Sequence, residues 1–345
     1  MKKCIVLDLD NTLWGGVVGE DGMNGIALSL TPPGAYFLAF QQALRDFYDR
    51  GVILAINSKN NPEEALEVIR KHPNMILKEN HFSAMRMNWE DKVQNLRDIS
   101  KELNIGLDSM VFLDDSPYNR AAVRAELPEV ETPDLPTAPS QYAKFLHSLP
   151  YFAGNTITDE DKMRGNLYVT ERLRKEAEKS FSDRDAFLKS LGTELHFFED
   201  DLRALSRLAQ LTEKTNQFNT KKQPFSESEI QSFIDSDKHA IFHAQAIDQF
   251  GDQGIIAFAL VSKGEDRWHI DSLLMSCRVL GRGIEEAFLA EIACRAASRG
   301  VGTVSVTFEP SEKNEPARIF IDRVFGNSLK IAPDTMRPPR WVTIT

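Results

Sequence analysis

The sequence predicts an α/β protein of two domains, in which a helix-flanked parallel sheet is followed by a mixed α/β domain. The chain has 345 residues, which is long for a single hydrophobic core. Its first ~135 residues alternate strand-like and helix-like runs, as chains do when helices cover a parallel sheet. From Gly192 onward the order of these runs becomes mixed, so a second architecture is expected there.

Four short apolar runs predict the strands of the first sheet: CIVLDLD, GVILAIN, NMILK and SMVFLDD. Three of them end in polar or acidic residues, as strands buried on both faces do when polar groups gather at their carboxyl ends. Helices are predicted roughly over Tyr36–Arg50, Pro62–Lys71 and Glu90–Leu103. The glycine-rich segment Trp14–Pro33 is predicted to form a flap or hairpin over the site, with Trp14 in a steric role at most.

Composition suggests where the domains meet. Residues 127–140, LPEVETPDLPTAPS, contain four prolines and predict an edge strand and a linker. A helical stretch from about Thr158 to Ser180 is predicted to bridge the two halves. The predicted organisation is a first domain over residues 1–140, a helical linker over 141–190 and a second domain over 191–345.

Strands and helices of the second domain follow from its apolar runs. Strands are predicted at ELHFFED, HAIFHAQAI, GIIAFALVS, WHIDSLLMS and TVSVTFEP. Helices are predicted at LRALSRLAQLTEK, over about Ile284–Arg299 and from Glu315. Ser226 and Glu229 form a capping-box pattern, which predicts the start of a further helix.

Charge and composition exclude several classes of protein. The net charge of −10 argues against a broad nucleic-acid-binding surface. No apolar segment is long enough for a membrane span, and acidic residues interrupt the apolar run at the N-terminus, which makes it a poor signal peptide. The three cysteines form neither a zinc pattern nor a disulfide framework. A cytoplasmic protein is therefore expected.

Acidic and phosphate-binding side chains stand at the ends of the strands predicted in the first domain. Because parallel neighbours end at one edge of a sheet, these side chains are expected to meet there. Crowded carboxylates repel one another unless a cation or a proton lies among them, and Mg²⁺ prefers such oxygen ligands. The residues are Asp8, Asp10 and Thr12 after the first strand, Ser58 at the end of the second, Lys92 at the start of a later helix, and Asp114 and Asp115 after the fourth.

Such a cluster can carry out phosphoryl transfer. One aspartate can attack phosphorus to form an aspartyl phosphate, and a carboxylate two residues later can protonate the leaving oxygen and then activate water. A serine and a lysine can hold the phosphoryl oxygens. The pattern hhhhDxDxT, followed by a strand-end serine, a lysine and DD, resembles the haloacid dehalogenase superfamily, mainly its phosphatases.

This resemblance implies a role for each residue. Asp8 would be the nucleophile and Asp10 the general acid and base. Thr12, Ser58 and Lys92 would bind the substrate phosphate. Mg²⁺ would be held by Asp8, by the carbonyl of Asp10 and by Asp115, with Asp114 acting through water or as a neighbour of the ligands.

A second phosphate-binding pattern lies late in the chain. Arg278, Gly281, Arg282 and Gly283 lie between a predicted strand and a predicted helix, where backbone N–H groups can hold a phosphate, although a tight turn is the commoner explanation for two such glycines taken alone. The order of elements resembles the GCN5-related acetyltransferase fold, whose loop binds the phosphates of coenzyme A. Ile321 stands where many of those enzymes have a catalytic tyrosine, which disfavours ordinary amine acetylation.

The cysteines differ in their expected surroundings. Cys277 has arginines near it and is predicted at a helix N-terminus, which favours a nucleophilic thiolate, while a buried apolar cysteine is the competing interpretation. Cys4 and Cys294 are interpreted as packing residues. His243 and His269 are candidate bases, with satisfied core histidines as the alternative.

Motifs along nearly the whole chain resemble the FkbH-like glyceryl-acyl-carrier-protein synthases: DLDNTLWGGVVGEDG, NWEDK, LDDSP, TNQFN, FGDQG and SCRVLGRG. The resemblance implies that 1,3-bisphosphoglycerate is the substrate, that phosphate is removed, and that a glyceryl thioester passes to the phosphopantetheine arm of an acyl carrier protein. Cys277 is our choice for the residue that carries the glyceryl group.

Three other functions remain as alternatives. The main one is a Mg²⁺-dependent small-molecule phosphatase whose late domain is an accessory module. A non-catalytic scaffold would not require Asp8, Asp10, Lys92 and Asp115 together. A protein acyltransferase that uses coenzyme A is disfavoured by Ile321 and by the phosphatase half.

Overall fold

The computed structural model describes residues 2–152 and 159–345. It divides into two compact units, Met1–Glu176 and Ala177–Thr345. Residues 153–158, which include the predicted helix start at Thr158, lie outside the described residues. The finer boundaries at residues 140 and 190 stay a prediction. No helix within the described ranges is long and apolar enough to cross a membrane.

The first unit is built on a four-stranded parallel sheet, as predicted. Its strands are β1 (Cys4–Leu7), β2 (Ile53–Ser58), β3 (Phe82–Met87) and β4 (Met110–Leu113), in the order β3-β2-β1-β4. Alternate residues of each strand face opposite ways, so β1 contributes Ile5 and Leu7 to one buried cluster and Cys4 and Val6 to another. Burial on both faces explains why these strands are continuous apolar runs.

Helices connect and cover these strands. They are α1 (Val18–Gly25), α2 (Gly34–Asp49), α3 (Pro62–Lys71), α4 (Lys92–Leu103), α5 (Pro117–Glu126), α6 (Tyr142–Ser148) and α7 (Asp159–Glu178). Two local signals place their starts: Pro62 is the first residue of α3, and the Asp91 side chain accepts hydrogen bonds from the first backbone N–H groups of α4.

The prediction of a strand at NMILK was wrong. Ile76 and Leu77 donate their backbone N–H groups to the side-chain oxygen of Gln41, at 2.9 and 3.2 Å, rather than to a neighbouring strand. Met75 and Leu77 are nevertheless buried in the core, which accounts for the apolar pattern. The actual third strand is FSAMRM, whose mixed polar composition concealed it.

The predicted flap is a short helix closed by a bridge. Gly15 and Ala27 exchange backbone hydrogen bonds of 3.1 and 2.8 Å, and α1 lies between them. A Cβ atom on Gly15 would approach the Phe37 ring to 2.7 Å, so a larger residue there would displace the flap from the core.

The second unit is a seven-stranded mixed sheet. Its strands are β5 (Thr193–Glu199), β6 (His239–Asp248), β7 (Gly251–Lys263), β8 (Arg267–Met275), β9 (Thr303–Val306), β10 (Lys330–Ile331) and β11 (Val342–Ile344). Strands β5 to β8 form an antiparallel meander, β8 pairs with β9 in parallel, and β11 pairs in parallel with β5. The predicted two-part α/β fold is confirmed.

Helices cover both faces of this sheet. They are α8 (Arg184–Ser190), α9 (Leu205–Lys214), α10 (Glu227–Ile234), α11 (Ile284–Ser298) and α12 (Glu315–Phe325). Phe288 of α11 and Phe320 of α12 share one buried cluster with the sheet, whereas Leu208 of α9 and Ile230 of α10 share the other. The predicted capping box at α10 is present, with Ser226 and Glu229 bonded reciprocally.

Strands β8 and β9 separate after four paired residues, and a distant segment enters the gap. Thr220 donates its backbone N–H to the Leu273 carbonyl at 2.9 Å, and Met275 donates to the Phe218 carbonyl at 3.0 Å. On the other side, Glu309 donates to the Thr220 carbonyl at 2.8 Å. Residues 218–220 therefore satisfy the inner half of β8 and lie beside the loop that follows it.

His243 is a core residue of this sheet. Its side chain is 2% exposed, stacks on Phe198 with ring centroids 4.8 Å apart, and has no hydrogen-bond partner for either ring nitrogen among the described residues. Burial lowers the pKa of His243 to about 4, despite the carboxylate of Asp201 at 3.9 Å, which acts in the opposite direction.

We expect His243 to destabilise the folded protein in acid. The unfolded chain takes up a proton at the ordinary histidine pKa of 6.5, whereas the folded chain does so only near pH 4. The stability that the neutral His243 imidazole allows is thus fully present above pH ~6.5. As the pH falls toward ~4, the free energy of unfolding decreases by on the order of 3 kcal/mol. In urea titrations across this range, His243→Gln should flatten the pH dependence, whereas His196→Gln on the neighbouring strand should not. Equal slopes in wild type and His243→Gln would contradict the assignment.

Candidate active site

The parallel sheet of the first unit brings the predicted acidic residues together. Asp8 follows β1, Ser58 ends β2, and Asp114 and Asp115 follow β4. Strands β2 and β4 both pair with β1, so their carboxyl ends converge. Asp8 is 7% exposed and Asp114 is fully buried. The sequence-based prediction of one shared edge is confirmed for these residues.

Lys92 joins two of these carboxylates. Its ammonium nitrogen lies 2.8 Å from Asp8 Oδ1 and 2.5 Å from Asp114 Oδ2, and the side chain is 5% exposed. The start of α4 is fixed by Asn57, which donates from its amide to the Lys92 carbonyl at 2.9 Å. Burial opposes the charge on Lys92, but Asp8 and Asp114 raise its pKa above the ordinary value, so the ammonium form is retained.

The loop after β4 is held rigidly. Asp114 accepts hydrogen bonds from the Ser116 backbone N–H at 2.8 Å and from the Asn119 amide at 3.2 Å. Arg120 donates to the carbonyls of Asp114 and Asp115, both at 2.7 Å. Asp114 thus has Lys92 and these donors as partners, and Asp115 beside it is half-buried.

Three carboxylates are arranged as a cation site. Ligand oxygens of Asp8, Asp114 and Asp115 lie within 4.8 Å of one another. Burial raises the pKa of Asp8 to about 6, while Lys92 acts against this and Asp114 adds to it. Burial, and then the charge of Asp114, raise the pKa of Asp115. Desolvated carboxylates this close fit a hard divalent cation, which would relieve their repulsion.

The side chain of Asp10 is not a member of this group of three carboxylates, and three hydrogen-bond donors position it. Trp14 Nε1 donates to Asp10 Oδ1 at 2.8 Å, the Val18 backbone N–H donates to the same oxygen at 3.1 Å, and the Asn60 amide donates to Oδ2 at 3.1 Å. Trp14 is fully buried in the core, as expected for a packing residue, but its hydrogen bond to Asp10 goes beyond the steric role that was expected. Sequence analysis missed Asn60 as well, because two residues after a strand-end serine it has the pattern of an ordinary turn residue.

The two predicted hydroxyl ligands have different surroundings. Ser58 is 1% exposed, and its hydroxyl accepts a hydrogen bond from the Asn60 amide at 3.0 Å. Thr12 is fully buried, and its hydroxyl has no hydrogen-bond partner among the described residues. Their roles in substrate binding stay predictions.

The two glycines of the late loop in the second unit adopt backbone conformations that favour glycine. Gly281 and Gly283 have φ values of 76° and 83°, in the left-handed region that side chains disfavour. Cys277 is exposed, but the prediction that it sits at a helix N-terminus needs correction. It opens a single 3₁₀ turn, Cys277–Val279, and the long helix α11 begins only at Ile284. Cys294, expected to pack in the core, is exposed.

The arginines of this loop make internal contacts. Arg282 is 7% exposed and donates to Asp248 Oδ2 at 3.4 Å, to Gln253 Oε1 at 3.1 Å and to the Arg278 carbonyl. Arg278 donates to the Gln253 carbonyl at 3.4 Å. Arg282 therefore holds the loop in shape, and the roles of Arg278, Gly281, Arg282 and Gly283 in substrate binding stay predictions.

The remaining candidates of the second unit are structural. His269 bonds through Nδ1 to the Ser305 hydroxyl and through Nε2 to the Thr307 hydroxyl, both at 2.8 Å. His243 is stacked in the core. Ile321 is fully buried in α12, so its side chain offers no functional group where a catalytic tyrosine was considered. These positions favour the interpretation of both histidines as core residues.

Parts of the chain are similar to known proteins. Residues 3–131 match the family described as NLI interacting factor-like phosphatase, which is less than half of the chain. No curated protein matches. This part of the first unit is thus similar to a phosphatase domain, in agreement with the resemblance read from the sequence, and the catalytic roles of its residues stay predictions.

Solved structures resemble each half of the chain. One is the N-terminal part of the protein BF1531 from Bacteroides fragilis, containing a phosphatase domain complexed with Mg, at 44% identity and a TM-score of 0.44. The alignment covers 46% of this chain and 42% of that one. Another is the ribosomal-protein-alanine N-acetyltransferase from Brucella melitensis biovar Abortus 2308, at 13% identity and a TM-score of 0.31, with 38% and 90% covered. A third is the ribosomal-protein-S18-alanine N-acetyltransferase from Escherichia coli, at 16% identity and a TM-score of 0.30, with 38% and 76% covered.

The hydrogen bond from Trp14 to Asp10 should matter for phosphatase turnover. Trp14→Phe keeps most of the buried ring but removes the donor at 2.8 Å, so kcat for a phosphate monoester should fall about tenfold with little change in KM. Trp89→Phe is the matched control, because that exposed indole donates to Asn61 instead. Equal kcat values for the two variants would show that the bond does not position Asp10.

Proposed function

We propose that the first unit is a Mg²⁺-dependent phosphoryl-transfer site with Asp8 as the nucleophile. The observation that carries this proposal is the cluster of Asp8, Asp114 and Asp115, whose ligand oxygens lie within 4.8 Å of one another, with the ammonium of Lys92 paired to Asp8 and Asp114. Mg²⁺ would be held by Asp8, by Asp115 and by the carbonyl of Asp10, with Asp114 acting through water or as a neighbour of the ligands. When bound, it would neutralise charge on the substrate phosphate.

The side chains divide the reaction between them. The Asp8 carboxylate attacks phosphorus, the bond from phosphorus to the leaving oxygen breaks, and Asp10 donates a proton to that oxygen. Asp10 then takes a proton from water as the water attacks the aspartyl phosphate, which releases inorganic phosphate and restores Asp8. The donors from Trp14 and Asn60 keep the Asp10 carboxylate in one orientation through both steps.

Lys92 and Ser58 would hold the phosphoryl oxygens. The Lys92 ammonium lies 2.8 Å from Asp8 Oδ1, so a phosphoryl group on Asp8 would remain within its reach. Charge on the equatorial oxygens must be balanced during transfer, and a buried ammonium does this more strongly than a solvated one.

For the whole chain we propose glyceryl transfer to an acyl carrier protein. The substrate would be 1,3-bisphosphoglycerate. The Cys277 thiolate would attack its acyl carbon, forming a C–S bond and releasing the acyl phosphate as inorganic phosphate. The other phosphate would be cleaved at Asp8, and the carrier's phosphopantetheine thiol would then attack the thioester and displace Cys277. Support comes from the exposure of Cys277 and from the motif resemblance along the chain.

A Mg²⁺-dependent small-molecule phosphatase with an accessory domain is the second candidate. The observation in its favour is that Arg282, predicted to bind a phosphate, is buried against Asp248 and Gln253. This function predicts steady phosphate release without a carrier and no stable acyl-enzyme.

Intact-mass measurement distinguishes the two candidates. The protein is incubated with Mg²⁺ and 1,3-bisphosphoglycerate, and wild type should gain a glyceryl adduct. Asp8→Asn should retain the second phosphate and so gain a phosphoglyceryl adduct, whereas Cys277→Ala should gain none. Cys294→Ala is the matched control, because that thiol is also exposed.

Each contrary result has a definite meaning. An unmodified wild-type protein that releases phosphate steadily would support the plain phosphatase. An adduct that persists in Cys277→Ala would refute Cys277 as the carrier of the acyl group.

Magnesium binding should depend on the protonation of Asp8. Its pKa is raised to about 6, so a proton competes with the metal below that pH, and the affinity for Mg²⁺ should be about tenfold weaker at pH ~5 than at pH ~7.5. Calorimetric titration of the metal-free protein measures this directly. Asp115→Asn should weaken binding at both pH values, while Asp46→Asn on α2, an exposed carboxylate, should change nothing. A pH-independent affinity would contradict the raised pKa of Asp8, whereas an unchanged affinity in Asp115→Asn would exclude Asp115 as a ligand.

A further inference from the structure

The loop that was predicted to bind phosphate already contains a carboxylate from its own chain. Glu285, in the first turn of α11, turns back so that its Oε1 accepts the Gly281 backbone N–H at 2.5 Å. The residue is 7% exposed. Its second oxygen, Oε2, is buried and has no hydrogen-bond partner among the described residues.

This unpartnered oxygen belongs to a residue that lines a cavity. The cavity has a volume of about 310 Å³, and its walls are mostly apolar. The other charged groups in its lining have partners of their own, since Arg323 contacts Glu286 and Glu315 pairs with Arg318. The residues that line the cavity include Phe218, Leu280, Gly281, Glu285, Phe320 and Arg323.

A diphosphate would meet two obstacles here. The Gly281 N–H is already donated to Glu285, so it is not available to a phosphate oxygen. A phosphate near the loop would also lie beside a buried carboxylate, where repulsion between like charges is poorly screened. Burial raises the pKa of Glu285, while the backbone N–H groups of Gly281 and Glu285 act against this.

We propose that Glu285 is a specificity-determining residue that excludes the diphosphate of thiols such as coenzyme A and admits the uncharged pantetheine part of the carrier protein's arm. This inference rests on the proposed function, because it assigns the cavity to the arm of the carrier protein. Amide N–H and hydroxyl groups of such a chain are the donors that the buried Oε2 lacks. The apolar walls would pack against its methylene and methyl groups.

Binding of two thiols to the full chain tests this proposal. Affinities for pantetheine and for coenzyme A are measured by calorimetry with wild type, Glu285→Gln and Glu285→Ala. Wild type should bind pantetheine at least about tenfold more tightly than coenzyme A. Glu285→Gln keeps an acceptor for Gly281 but removes the charge, so the affinity for coenzyme A should rise about tenfold while that for pantetheine stays within about threefold.

The alanine variant tests the loop itself. Glu285→Ala leaves the Gly281 N–H without its acceptor, and inorganic pyrophosphate should then bind where wild type binds none. Glu291→Gln, on the same helix but paired with Arg295, is the matched control and should resemble wild type.

The possible failures are distinguishable. If pantetheine binds but Glu285→Gln leaves the affinity for coenzyme A unchanged, the proposed role of Glu285 is wrong and the arm site stands. If neither thiol binds to wild type or to either variant, both the role of Glu285 and the assignment of this cavity to the arm are wrong. Acyl transfer to Cys277 is then still decided by the mass measurement, which uses no thiol ligand.

Discussion

The buried ammonium of Lys92, held between Asp8 and Asp114, is the interaction on which the first unit depends. Two carboxylates at adjacent strand ends would repel each other if nothing lay between them. The Lys92 ammonium, at the start of α4, pairs with both carboxylates. It can do so only if β1, β4 and the start of α4 keep their relative positions. Removing one member of such a buried group leaves the other charges uncompensated, so the site and the sheet edge are stabilised together.

Around that centre the two aspartates of the DxD pattern receive different environments. Asp8 faces Lys92 and the other carboxylates, whereas Asp10 faces neutral donors from Trp14, Val18 and Asn60. The mechanism proposed above uses this difference, because it gives Asp8 the role of nucleophile and Asp10 the role of proton carrier. In the second unit, by contrast, a carboxylate of the same chain contacts the glycine loop, because Glu285 accepts the Gly281 backbone N–H.

Much of this was predictable because parallel strands bring distant residues to one edge, so Asp8, Ser58 and Asp114 could be placed without coordinates. The sequence-based predictions failed where a side chain bonds to backbone N–H groups that the sequence pattern does not connect with it. Gln41 serves the N–H groups of Ile76 and Leu77 and so replaces a predicted strand. Glu285 could not be recognised either, since an acid in the first turn of a helix is expected for the helix dipole alone.

Strand β11 pairs with β5, although the two are separated by nearly the whole second unit. The parallel sheet of the first unit is complete once Leu113 has been synthesised, whereas the seven-stranded sheet stays open along β5 until Ile344 has left the ribosome. Folding during translation would therefore be sequential, with the parallel sheet of the first unit formed while the β5 edge of the second sheet is still exposed.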